Sequence, residues 1–211
     1  VLKARWPGAP DSNVEFALQI FSGLLVFGLF SEVIGRAAIL ITEQPNLVKK
    51  VIFPLEVLPW VSTLSSLFFA SISFFVLLAG LIVMRDGLTV HLLSVPLILA
   101  VFVPMLLGLS WLLAALGVYI RDISHVVGLI LTPMLFLSPI FYPVSSMPAI
   151  AQKMMMFNPL TLIISSLRQA TLGATWPDFI ALGWYLVASL SVAWIGAWCF
   201  EKTRRGFADV I

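Results

Sequence analysis

Charge is scarce in this chain. Asp, Glu, Lys and Arg make up 10% of its 211 residues, 61% are hydrophobic, and the mean hydropathy is +1.08. A soluble domain is about 25% charged and roughly 45–50% apolar. So little charge cannot cover a water-facing surface, which leaves an integral membrane protein. Cysteine is scarcer still: Cys199 alone excludes an intramolecular disulfide framework or a cysteine metal cluster, and its apolar neighbours make it a packing residue. Two histidines and no His-Glu-x-x-His provide no zinc pattern. No Gly-x-x-x-x-Gly-Lys-Ser/Thr loop occurs, so the chain does not hold ATP in that way. The net charge of +2 is no footprint for nucleic acid; what counts is where the positive residues fall relative to the spans. The opening Val-Leu-Lys-Ala-Arg-Trp lacks the order of a signal peptide and reads as the tail of a preceding segment.

The few charges bracket the apolar runs. Phe16 to Gly35 is one predicted span, with Glu32 and Arg36 placed to pair at its end. Glu56 to Arg85 encloses a second, and Leu92 to Tyr119, with Pro96 and Pro104, is a third. A fourth runs to about Ile140, followed by a break and short helices through the Pro-rich block SPIFYPVSSMPAIAQKMMMFNPL. Segments of that length are re-entrant or interfacial. Phe179 to Phe200 is the fifth span. Five crossings put the two ends on opposite sides. With the C-terminus inside, Arg36, Lys49, Lys50, Arg121, Lys202, Arg204 and Arg205 are cytoplasmic, against Lys3, Arg5, Arg85, Lys153 and Arg168 outside. The positive-inside rule favours that orientation.

The connector ITEQPNLVKKVIFP then reads as an amphipathic helix over 42–53: Thr42 can cap it, Pro45 suits its first turn and Pro54 stops it. Leu47, Val48, Val51 and Ile52 share one face; Asn46, Lys49 and Lys50 share the other. Such a helix either lies along the membrane surface or sits in a groove of another protein. The spans carry almost no ionisable group at mid-depth, so an ion-coupled carrier has little to run on. Ser110 and His125, the faint candidate for a serine-histidine pair, differ in predicted depth, which leaves Ser110 as a packing residue. Any work this unit does must draw on energy from elsewhere.

ITEQPNLVKKVIFPLEVLP, the Gly-x-x-x-Arg-Asp turn at Gly117–Asp122, and SPIFYP…NPL recur together in a known pattern. The chain resembles the membrane subunits of ABC-2-type exporters, and more narrowly the permeases that export O-antigen and other lipid-linked or capsular polysaccharides. The resemblance implies an all-α, type V exporter-like bundle, a single domain over 1–211 with five spans here and six in the full pattern. It implies that the N-terminal amphipathic helix and most of the first span are missing. It further implies a homodimer in the bacterial inner membrane, with the C-terminus cytoplasmic and two separate ABC ATPases holding ATP and Mg, so that this chain carries no cofactor and is no enzyme. By the same resemblance 42–53 is the coupling helix, with Glu43, Gln44, Asn46, Lys49 and Lys50 meeting the ATPase. Arg121 and Asp122 are either a second contact or a helix-ending ion pair. The re-entrant helices at 141–176 place Phe136, Phe141, Tyr142 and Phe157 near the outer mouth of a polysaccharide path, unless these rings merely pack. Arg168 either meets a phosphate there or caps a helix. Exporters of a teichoic-acid-like polymer, a lipid or a drug, and an intramembrane enzyme on lipid-linked sugars, are the alternatives; the enzyme would need clustered acidic or histidine residues at one membrane face.

Overall fold

The computed structural model of the chain describes residues 13–49, 54–85, 89–120, 122–144 and 147–210. The described secondary structure is helical: α1 (Asn13–Ala37), α2 (Pro45–Lys49), α3 (Val57–Arg85), α4 (Val95–Tyr119), α5 (Ile123–Leu137), α6 (Ala149–Met156), α7 (Pro159–Thr171), α8 (Phe179–Thr203) and the short α9 (Phe207–Val210). Single 3₁₀ segments at Val90–Ser94 and Arg204–Gly206 lead into α4 and out of α8.

Long apolar runs become helices here because hydrocarbon offers no partner for a bare backbone amide. Their ends carry polar groups that suit exposed termini. Glu15 lies in the first turn of α1 and Arg36 in its last, each matching the helix dipole. The expected Glu32–Arg36 pair forms at 3.0 Å. At α8, the Asp178 carboxylate accepts from the N–H groups of Ile180 and Ala181 at 3.0 and 3.1 Å, which fixes where the helix begins.

Four described helices are long and apolar enough to cross a membrane: Glu15–Ala37, Val57–Val83, Val90–Tyr119 and Phe179–Gly206. Five were expected. Ile123–Leu137 has 15 residues and rises about 22 Å, short of the ~30 Å hydrocarbon core. The predicted end at Ile140 comes three residues early because Ser138 precedes Pro139 and turns extended, with φ −86° and ψ 146°.

α4 is the centre of the bundle. Its Ile98, Phe102 and Leu106 are fully buried in one cluster with Val26, Phe30 and Val33 of α1 and Ile163, Ile164 and Leu167 of α7. α4 and α8 form the most extensive helix pair. Their backbones nearly touch: a β-carbon on Gly108 would lie 2.5 Å from the Val192 carbonyl, and one on Gly196 would overlap the Gly108 carbonyl. Small residues at such crossings let dispersion and backbone contact hold helices together where lipid removes the hydrophobic drive. The outer faces of α3 and α8 are apolar and exposed, with Phe68 and Phe75 each at 65% and Trp184 at 73%. Apolar surface on that scale suits a molecule whose surroundings are not water.

Candidate functional site

Two polar regions interrupt the apolar bundle, one at each end. The first is built around the connector between α1 and α3. Its roots are fixed before α2 begins. Gly117 of α4 lets the Ala38 carbonyl approach so closely that any β-carbon there would overlap it. At the other root the Trp111 indole N–H donates to the Glu56 carbonyl at 3.1 Å, and Trp111 stacks edge-on against Trp60 with centroids 5.9 Å apart. Ile41, Leu58, Ala114, Ala115, Val118, Phe200 and Phe207 make a small core under the connector. Leu47 of α2 packs against it, while Glu43 and Asn46 are exposed and Gln44 is half-buried. Leu47 is therefore anchored while Asn46 faces outward; the side chains of Val48 and Lys49, on which the two-faced reading also rests, lie outside the described residues.

The helix starts later than the sequence indicated. The helix opens at Pro45, three residues beyond Thr42, which lies in the turn after α1 and donates its hydroxyl to the Ile39 carbonyl at 3.0 Å; its position, not that bond, keeps it from capping α2. Residues 50–53 lie outside the described residues, as does Arg121; they include Lys50. α2 extends to Lys49. Asp122 is exposed in the α4–α5 turn, at the same end of the bundle as the connector.

The C-terminal segment also comes to this end, as the distribution of basic residues implied, but the contacts it makes there were not foreseen. Arg204 makes a two-pronged contact with Glu56, its Nη1 at 2.8 Å from both carboxylate oxygens. The Glu56 carboxyl is held below its ordinary value, first by a hydrogen bond from its own backbone N–H; burial opposes this, and the hydrogen bond and charge of Arg204 add to the lowering. The Tyr119 hydroxyl donates to the Thr203 carbonyl at 2.9 Å. Phe207 is fully buried between Phe200 and Tyr119, with centroids at 5.4 and 6.0 Å. Pairs 84 and 148 residues apart leave no mark in a linear pattern.

The second polar region lies at the opposite end, where the Pro-rich block folds into α6 and α7. Asn158 caps α7, its side chain accepting from Leu160 N–H at 2.9 Å, with Pro159 in the first turn. Its amide also donates to the Ser138 hydroxyl at 2.9 Å, tying the two halves of the block together. α7 buries Leu160, Ile163, Ile164 and Leu167 on one stripe.

Arg168 sits on that buried stripe at 8% exposure. Its guanidinium donates to the carbonyls of Gln19 (Nη2, 2.8 Å), Ile140 (Nη2, 2.8 Å) and Pro139, and to the Ser22 hydroxyl at 3.4 Å. Of its two sequence readings, the phosphate contact finds no exposed guanidinium. The side chain instead ties the α5–α6 turn to α1 within the chain. Nearby, Phe136 and Phe141 form a ring pair at 6.0 Å with Phe136 59% exposed, and the Tyr142 hydroxyl donates to the Phe136 carbonyl. Burial raises the Tyr142 phenol above its ordinary value. Phe157 is 90% exposed, in the turn before α7. Phe136, Phe141 and Tyr142 are thus brought together, while Arg168 stays behind them.

Chemistry is sparse elsewhere. Among the described residues no group of three His, Cys, Asp or Glu side chains could hold a metal ion. Ser110 is buried without a hydrogen-bond partner and His125 is exposed, so the two do not form a nucleophile-base pair.

The ABC-2 type transporter family matches residues 4–172. Among curated proteins, the chain is 28% identical over 199 residues to the O-antigen export system permease protein RfbA of Myxococcus xanthus. It is 25% identical over 204 residues to a protein of the same description from Klebsiella pneumoniae. Each match covers 93% of this chain and 76% of the relative. A helical multi-pass bundle with anchored connector and folded Pro-rich block, matched over most of its length, belongs to the ABC-2 type transporter family.

Proposed function

We propose that this chain is the permease of an ATP-driven exporter that moves a lipid-linked polysaccharide such as O-antigen across a bacterial inner membrane. The observation that carries the substrate class is the likeness, over 93% of the chain, to proteins named as O-antigen export permeases. In this reading two copies form the conduit and two ABC ATPases, with their ATP and Mg, supply the work. The C-terminus is cytoplasmic, as the distribution of Lys and Arg favours.

Each end of the bundle then has a task. At the cytoplasmic end α2 is the coupling helix: Glu43, Gln44, Asn46, Lys49 and Lys50 meet the ATPase, and Asp122 with Arg121 forms a neighbouring contact. Leu47, packed under the connector, passes the ATPase movement into the spans. At the periplasmic end the Phe136–Phe141 pair, Tyr142 and Phe157 offer ring faces to the CH-rich faces of a sugar polymer. Stacking of this kind holds a ligand without a deep pocket, which suits a polymer that must slide.

The test is co-expression of the full permease with its ATPase, comparing wild type with Lys49→Glu/Lys50→Glu. Lost ATPase co-purification, lost stimulated hydrolysis and loss of surface polysaccharide are expected. Unchanged association and export would remove the coupling role. Normal coupling with export of a different polymer would keep the exporter and replace the substrate.

A further inference from the structure

The connector is fastened to more than the helix it leads into. Its far root, Glu56, is bridged to Arg204 at the end of α8, a helix 148 residues away in sequence. Three further contacts bind the same segment: Phe207 seated between Phe200 and Tyr119, the Tyr119 hydroxyl on the Thr203 carbonyl, and α9 beside α2. Leu47 of α2 packs on the cluster that contains Phe200 and Phe207. Movement of α2 therefore loads α8 as well as α3. α8 in turn meets α4 at the Gly108–Gly196 crossing, where backbone contact leaves no soft layer to absorb a displacement.

The bridge is not there for stability. The side chains of Arg204 and Glu56 are 40% and 44% exposed, and a solvated pair of this kind contributes about 0–1 kcal/mol. Nor does close packing surround it: a cleft of about 270 Å³ opens beside it, lined by Glu56, Trp111, Ala197, Phe200, Glu201 and Arg204. The buried Phe207 seat holds the segment in place, and across the open cleft the charge contact is what fixes the register of the connector root against the end of α8.

Building on the coupling role given to α2, we propose that the segment Thr203–Val210 is a latch: it fastens α8 to the connector, so that the ATPase stroke received by α2 moves α4 and α8 together. Arg204 and Glu56 are positioning residues for that stroke, and neither touches ATPase or polymer.

The experiment uses the full permease co-expressed with its ATPase, in three variants: Glu56→Arg, Arg204→Glu and the double exchange. Each single variant should keep ATPase co-purification, nucleotide hydrolysis and thermal stability at wild-type levels while surface polysaccharide falls at least about fivefold, the lower end of usual coupling effects. The double exchange, which restores opposite charges across the cleft, should recover most of the export. Single variants that export normally would overturn the latch, and so would a double exchange no better than either single. Loss of ATPase association in the single variants would also overturn it, because the pair would then belong to the docking surface. A Lys49→Glu/Lys50→Glu permease that still binds its ATPase would instead remove the docking role of α2, a separate failure with a separate readout.

Discussion

Replacing Arg168 separates a residue that holds the bundle together from one that meets cargo. In Arg168→Ala the Pro139 and Ile140 carbonyls lose their donor in a buried setting, and the link to Gln19 is cut. A buried polar group left without a partner costs about 1–3 kcal/mol, so the two carbonyls alone account for roughly 2–6 kcal/mol. For a chain of this size each kcal/mol moves the unfolding midpoint by about 2–4 °C. The apparent midpoint of the purified permease, followed by tryptophan fluorescence in nanodiscs, should fall by roughly 5–20 °C. Arg168→Lys keeps the charge but loses the planar fork, and should fall between the two. An alanine variant that melts with the wild type while export collapses would refute this reasoning and return Arg168 to the polymer path.

Other substitutions probe other joints. Gly196→Leu forces a side chain into the Gly108 backbone and should lower the midpoint by at least the 1–3 kcal/mol typical of overpacking. Phe207→Ala empties a fully buried aromatic site, at about 3–5 kcal/mol for a core phenylalanine, and should release the C-terminal segment to protease. Because the Glu56 carboxyl is held below its ordinary 4.5, its contribution is complete above that value and disappears only as pH falls through the lower folded-state value. Coupled export should therefore show no Glu56-dependent change between pH 6 and 8, which a pH series on wild type and Glu56→Gln would check. Phe141→Ala or Tyr142→Ala should alter polymer export or ion leak without loss of the bundle; wild-type behaviour in both assays would make those rings packing residues.

What could be read in advance was governed by range. Glu15, Glu32, Glu56 and Arg85 bracket uncharged runs, so the first two spans and the local Glu32–Arg36 pair follow from spacing alone. Of the two-faced connector the described residues show one step, Leu47 packed inward and its neighbour Asn46 exposed. Thr42 misled because it falls in the turn after α1, three residues before α2 opens at Pro45. α5 ended early for a reason that was in the sequence, since Pro139 restrains Ser138. Arg168 was a different problem. A guanidinium beside aromatics suits a phosphate or a set of carbonyls, and only burial separates the two. The Glu56–Arg204 bridge and the α4–α8 crossing depend on which distant segments meet, so no local pattern announces them.

The central claim is that α2 meets an ATPase on the inner face of the membrane. A photo-crosslinking residue in place of Asn46, which is exposed on α2, tests it in living cells carrying the full permease and its ATPase. The prediction is a covalent adduct with the ATPase subunit that disappears when Lys49 and Lys50 are reversed in charge. No adduct, together with labelling of a cysteine at the same position by a membrane-impermeant reagent from the periplasm, would contradict it.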